Sequence, residues 1–123
     1  MKADMITLYG IANCDTIKKT RQWLTDQQIP YAFHDYKKQG IDAELAGQML
    51  QALSLESLIN KRGTTWRKLP TQMQANLSQE TALTLMLAQP SVIRRPVLSN
   101  RHQWMAGYDE EKFRTLRKQD PII

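Results

Sequence analysis

The 123-residue sequence predicts an α/β fold in which a β-α-β unit and a closing β-β-α unit bracket a helical block. Three observations carry that reading. A run of strand formers, "MITLYG", gives way through Gly10 to a segment with apolar residues at helical spacing. From Asp42 to Ala88 only helix signals recur. After Pro90 two short β-like runs precede one last amphipathic segment.

Taken in order, Ile6 to Tyr9 reads as a buried strand ended by Gly10. In "CDTIKKTRQWLTDQQ", Ile17, Thr20 and Leu24 share a helical face, with Asp15 or Thr16 as the N-cap. "IPYAFHDY" alternates Tyr31, Phe33 and Asp35 against Ala32 and His34, a second strand. "DAELAGQMLQAL" is a helix capped by Asp42, with Leu45, Met49, Leu50 and Leu53 on one stripe. "LESLINKRG" reads as a short helix stopped by Gly63, and "LPTQMQANL" as one opened by Pro70. "SQETALTLMLAQP" runs from a Ser78 cap to a stop before Pro90, with Leu83, Met86 and Leu87 on its core face. "SVIRRPVL" and "QWMAGY" form β-like segments around the turn "SNRH". "DEEKFRTLRKQ" closes the chain as a helix capped by Asp109, with Phe113 and Leu116 inward. A single domain spanning 1–123 is expected, with a helical insertion over about 41–89.

The bulk composition restricts function. Hydrophobic residues make up 41% and charged residues 24%, as in a globular protein. No apolar run approaches the roughly 18 residues of a membrane helix, and the start lacks a secretory apolar region, so the cytoplasm is the expected compartment. The net charge of +5 raises nucleic acid as a partner. The basic residues form no run of five, and no zinc-ligand spacing or RNA-binding aromatic motif accompanies them; a solvated surface with a small-anion site is the preferred reading. His34 and His102 stand isolated, without metal-ligand spacing. A chain of this length can stand as a monomer.

The chain has one cysteine, Cys14, so no internal disulfide is possible. It falls where the first strand hands over to the first helix. A free thiol has a pKa of about 8.5 and is mostly protonated at neutral pH. The N–H groups and dipole of a helix start favour the thiolate, as does Lys18 one turn along, whereas Asp15 opposes it. Two readings stand side by side: a small buried hydrophobe, or a reactive thiol in a ligand-facing loop. A second element is "IRRPVL". Arg94 and Arg95 alternate in an extended segment and should point to opposite faces, so only one can join a given site. Pro96 is a candidate cis proline. Arg62 and Arg101 are further cations that could serve an anion or the solvent.

The combination of "YGIANCDTIKKTRQWL", "LINKRGTTWRKL", "PSVIRRPVL" and "WMAGYDEEKFRTL", from about Met5 to Leu116, resembles the arsenate reductase/Spx family, and within it the single-cysteine YffB-like branch. The resemblance implies a thioredoxin-like fold with the helical block inserted in its middle. It implies Cys14 as the catalytic nucleophile and Pro96 as the cis proline beside it. Arg95 matches the oxyanion-binding arginine before that proline, and the last such arginine falls near Arg101. The first aligns with Asn60, a departure, while Arg62 matches a basic position of the Spx branch. Backbone N–H groups from Asn13 through Asp15 to Thr16 would hold the sulfur. The expected activity is that of a glutathione-dependent thiol oxidoreductase, with no bound cofactor, glutathione as cosubstrate and a glutaredoxin as a possible thiol partner. Alternatives are arsenate reductase proper, or an Spx-like regulator that binds RNA polymerase. Spx regulators use a Cys-x-x-Cys switch, and Ile17 stands where its second cysteine would be.

Overall fold

The structure is a computed structural model that describes residues 5–100 and 103–118. The described chain forms two compact units. One combines the segment ending at Gln39 with the segment starting at Arg95, and the other is Gly40–Arg94.

The first unit is built on a four-stranded sheet. β1 (Ile6–Gly10), α1 (Asp15–Asp26), β2 (Tyr31–Asp35) and a short α2 (Tyr36–Gln39) come from the N-terminal segment; β3 (Val97–Ser99), β4 (Trp104–Ala106) and α8 (Glu110–Lys118) come from the C-terminal one. The strand order is β2-β1-β3-β4, with β1–β2 parallel and the other pairs antiparallel. The α1 crossover supplies the connection that a parallel pair requires. Alternation along β1 sends Ile6 and Leu8 into a core shared with Ile17, Trp23 and Leu24 of α1 and Phe113 and Leu116 of α8. Tyr31 and Phe33, paired with Ile6 and Leu8, pack against the same cluster. Trp23 and Phe113 meet edge to face at 5.5 Å between centroids. Thr20 sits on the buried face of α1 and donates to the Thr16 carbonyl at 2.7 Å, which satisfies its hydroxyl. Asp109 accepts from the N–H groups of Glu111 and Lys112 and caps α8 as expected.

The second strand stops one residue short of Tyr36. The buried Asp35 carboxylate accepts the Lys37 N–H at 2.9 Å, and the Asp35 N–H donates to Gln39 Oε1 at 3.1 Å. These local bonds turn the chain into α2 and place Tyr36 at its first position.

The second unit holds α3 (Ala43–Ala52), α4 (Leu55–Leu58), α5 (Thr64–Arg67), α6 (Thr71–Ala75) and α7 (Gln79–Ala88), then a 3-10 turn at Pro90–Val92. Asp42 caps α3 by accepting from Leu45 N, and Ser78 caps α7 in a reciprocal box with Thr81. Three expectations are corrected here. Gly63 does not stop a helix: α4 ends at Leu58, because Ile59 forms an antiparallel bridge to Ile93 and Asn60 N–H donates to the Val92 carbonyl. Gly63 is instead the extended N-cap of α5. The buried face of α7 is Ala82, Leu85 and Met86, with Leu83 half-buried and Leu87 exposed, and that of α3 is Ala46, Met49 and Leu50. Apolar residues outnumber the core-facing positions on both helices, so periodicity alone left the angle of the stripe undetermined. Finally, "SVIRRPVL" is not one strand. Its first half joins this unit, which therefore runs to Arg94 rather than 89, and only Val97–Ser99 pairs in the sheet.

Gly10 lies where β1 passes under α1. A Cβ there would come within 2.3 Å of Ile17 Cδ1 and 2.8 Å of its Cγ1, and Ile17 is fully buried. Gly10→Ala is expected to destabilise the protein by about 1–3 kcal/mol through overpacking, read as a lower urea midpoint at unchanged slope. Ser78→Ala should cost about 1 kcal/mol in the same measurement by removing the α7 cap.

Candidate functional site around Cys14

The loop from Ile11 to Cys14 leaves the C-terminal end of β1 and closes on itself through a Cys14 N–H to Ala12 carbonyl bond of 3.0 Å. Cys14 is extended, at φ −152° and ψ 127°, and occupies the N-cap of α1. The expected cap, Asp15 or Thr16, is thus displaced by one or two residues: Asp15 is the first helical residue and exposed, and the Cys14 carbonyl already accepts the Lys18 N–H at 2.9 Å. A cap side chain faces the second and third helical N–H groups, which here belong to Thr16 and Ile17. The neutral thiol makes no hydrogen bond of cap geometry to them, but both favour its anion.

The electrostatic balance at the sulfur follows from burial and three neighbouring residues. Partial burial is the largest single influence and pushes the Cys14 pKa up. Against it act the Ile17 N–H, a hydrogen bond and the charge of the Arg95 guanidinium, and the Thr16 N–H; together they outweigh burial and leave the pKa below the ordinary cysteine value. The half-buried thiol therefore combines access with anion stabilisation.

Arg95 reaches the thiol from the segment before β3, and its bond to Pro96 is cis. Arg94 behaves differently. Its Nε donates to the Ser57 carbonyl at 2.7 Å and its N–H to the Leu58 carbonyl at 2.7 Å, both within the second unit. The two arginines diverge although neither lies in a strand, and the unit boundary falls between them. Of the expected backbone donors, Thr16 faces the sulfur, the Cys14 N–H is engaged by Ala12, and Asn13 and Asp15 are exposed. Arg62 is exposed in the second unit, where its N–H donates to Asn60 Oδ1 and its carbonyl accepts from the Arg67 guanidinium. Arg101 and His102 lie outside the described residues. Sequence reasoning missed Ile17, whose N–H is the first of the favourable influences on Cys14. The signal was present, because Ile17 is the third helical residue once Cys14 is the cap. Among the described residues no cluster of three or more His, Cys, Asp or Glu side chains could hold a metal ion.

A thiol at the strand-to-helix joint of a mixed four-stranded sheet, facing an arginine that precedes a cis proline, defines a thioredoxin-like protein with a single thiol. Its kinship is narrower than that. The model of the ArsC family matches residues 9–116, and the chain belongs to that family. Among solved structures, the YFFB protein is 40% identical with a TM-score of 0.86, over 91% of this chain and 98% of that one. An arsenate reductase (ArsC) related protein from Brucella melitensis is 46% identical with a TM-score of 0.76, over 93% and 95% of the respective chains. The global transcriptional regulator Spx of Streptococcus agalactiae serotype V is 26% identical over 94% of this chain and 85% of its own length. The chain thus has relatives named as an arsenate reductase related protein and as an Spx regulator.

The pKa direction carries a linkage consequence. Because the folded thiol has the lower pKa, its ionisation adds to stability fully above the unfolded value, and the contribution fades as pH falls through the folded value. The stability gap between the native protein and Cys14→Ser is therefore expected to widen from about pH 6 to about pH 9.5, checked by urea unfolding at both.

Proposed function

We propose that the protein is a cytoplasmic, glutathione-dependent thiol oxidoreductase in which Cys14 is the nucleophile. The observation that carries this reading is the half-buried Cys14 at the start of α1 with Arg95 beside it. In the proposed cycle the Cys14 thiolate attacks the glutathionyl sulfur of a mixed disulfide, and the substrate thiolate leaves. The enzyme then carries a Cys14–glutathione disulfide. A second thiolate, from free glutathione or a glutaredoxin, attacks the glutathione sulfur, expels the Cys14 thiolate and yields the new disulfide. No second cysteine exists in the chain to resolve it internally. Arg95 suits the carboxylates of glutathione or an oxyanion, since its planar fork matches both. Arg62 and Arg101 are proposed as supplementary cations, and the N–H groups of Thr16 and Ile17 as stabilisers of sulfur charge in both the attacking and leaving steps.

Kinship with a protein named as arsenate reductase related supports arsenate as an alternative substrate of the same thiol, with Asn60 in place of one expected arginine as the feature against it. Kinship with Spx supports a polymerase-binding regulator as a second reading. Ile17, fully buried where a switch would carry its second thiol, speaks against redox control within the chain.

On this reading, native protein exposed to oxidised glutathione takes up one glutathione, seen by mass spectrometry, and turns over a glutathionylated substrate with glutathione present. Cys14→Ser should do neither while unfolding at a similar urea concentration at about pH 6, where the thiolate contributes least to stability; retained turnover would sink the mechanism. Arsenate-dependent turnover in the same assay, or stoichiometric recovery of RNA polymerase on the immobilised protein, would favour the alternatives.

A further inference from the structure

The register of the sheet brings one more polar group to the thiol end of β1. Gly10 pairs with Asp35 on one side, and Tyr9 pairs with Val97 on the other. Tyr36 follows directly on Asp35, and Arg95 lies two residues before Val97 across the cis bond to Pro96, so both leave the sheet at the end of β1 from which the Cys14 loop departs. Tyr36 is only 4% exposed, and its hydroxyl has no hydrogen-bond partner among the described residues. Its ring is fixed by an edge contact to His34 at 5.9 Å; His34 in turn meets Tyr9 at 5.2 Å, and Tyr9 stacks on Trp104 at 5.5 Å. The hydroxyl is thus held by its ring.

A buried hydroxyl without a partner is costly to a fold, and such groups in native structures concentrate where function requires them. We propose that Tyr36 is a positioning residue for Arg95: its buried hydroxyl orients the guanidinium toward the Cys14 thiol. The proposal rests on Cys14 acting as a thiolate.

The physical basis is charge–dipole attraction. A neutral phenol turns its oxygen lone pairs toward a nearby cation, and low local dielectric strengthens the attraction. The groups acting on Tyr36 are Tyr9 from β1, His34 from β2 and Arg95 from the segment before β3. Burial, followed by Tyr9, raises the Tyr36 pKa well above the usual tyrosine range, and Arg95 acts the opposite way. The phenol therefore stays protonated at any working pH and presents a dipole rather than a charge.

Removing a costly, unpartnered hydroxyl should not lower stability in either case, so the discriminating readout is the thiol: a merely structural Tyr36 leaves its reactivity unmoved, whereas a positioning Tyr36 trades stability for that reactivity. Tyr36→Phe keeps the ring and its packing. It is expected to melt at the same temperature or higher, yet to react with iodoacetamide about three- to tenfold more slowly at pH 7 because the thiol midpoint rises. In an Arg95→Gln background the same substitution should change the alkylation rate no further, since Tyr36 acts on the thiol only through Arg95. A low midpoint in the native protein that Tyr36→Phe leaves unmoved would overturn the Tyr36 assignment alone. So would an effect undiminished in the Arg95→Gln background, or a loss of melting temperature with no change in alkylation. A native midpoint at the ordinary cysteine value would overturn the thiolate reading beneath it.

Discussion

The pairing of β1 along both of its edges is the constraint on which the thiol site depends. Its parallel partner β2 fixes where Asp35 turns the chain, and its antiparallel partner β3 fixes where Arg95 enters. The chain between β2 and β3 contains a whole second unit, yet Arg95 is set by the few residues of register on its own side of that unit. β3 is buried on both faces, so its register is held by the ladder that pairs Tyr9 with Val97 and Leu8 with Leu98 rather than by alternation of apolar and polar residues. Core packing and site geometry are therefore enforced by the same hydrogen bonds.

The ionisation of Cys14 rests on a contest between burial and polarity. A more exposed thiol would lose the desolvation that sharpens every neighbouring interaction, and a more buried one would lose both access and charge. The structure resolves this by making the cysteine itself the N-cap, where two helix N–H groups lack helical partners and Arg95 adds a full charge. Asp15, at the first helical position, remains exposed, so water separates its charge from the thiol's surroundings.

The fold by itself does not choose among reductases, glutathione-linked enzymes and regulators, since one scaffold serves all of them. What distinguishes this chain is local: one thiol, a buried isoleucine three residues on, and an arginine pair divided between two compact units. With a single thiol, the chain cannot form the internal disulfide that a Cys-x-x-Cys switch requires.

The sequence determined the elements whose signals are local. The Asp42, Ser78 and Asp109 caps are formed as read, because a cap needs only an oxygen three residues before the N–H it accepts. The order β-α-β, helices, β-β-α and the family membership were legible in the same way. Where partners come from distant segments, the sequence was silent or misleading. Gly63 looked like a helix stop, but Ile59 had already left the helix to bridge Ile93. Leu87 looked like core, but the angle of α7 turned Ala82 and Leu85 inward instead. Nothing near Tyr36 announced that Arg95 would act on it, because the two are separated by the entire second unit and are brought to one end of the sheet only by the pairings of β2 and β3 with β1. Local hydrogen bonding is written in adjacent residues, whereas which residues flank a strand end is decided only when the strands pair.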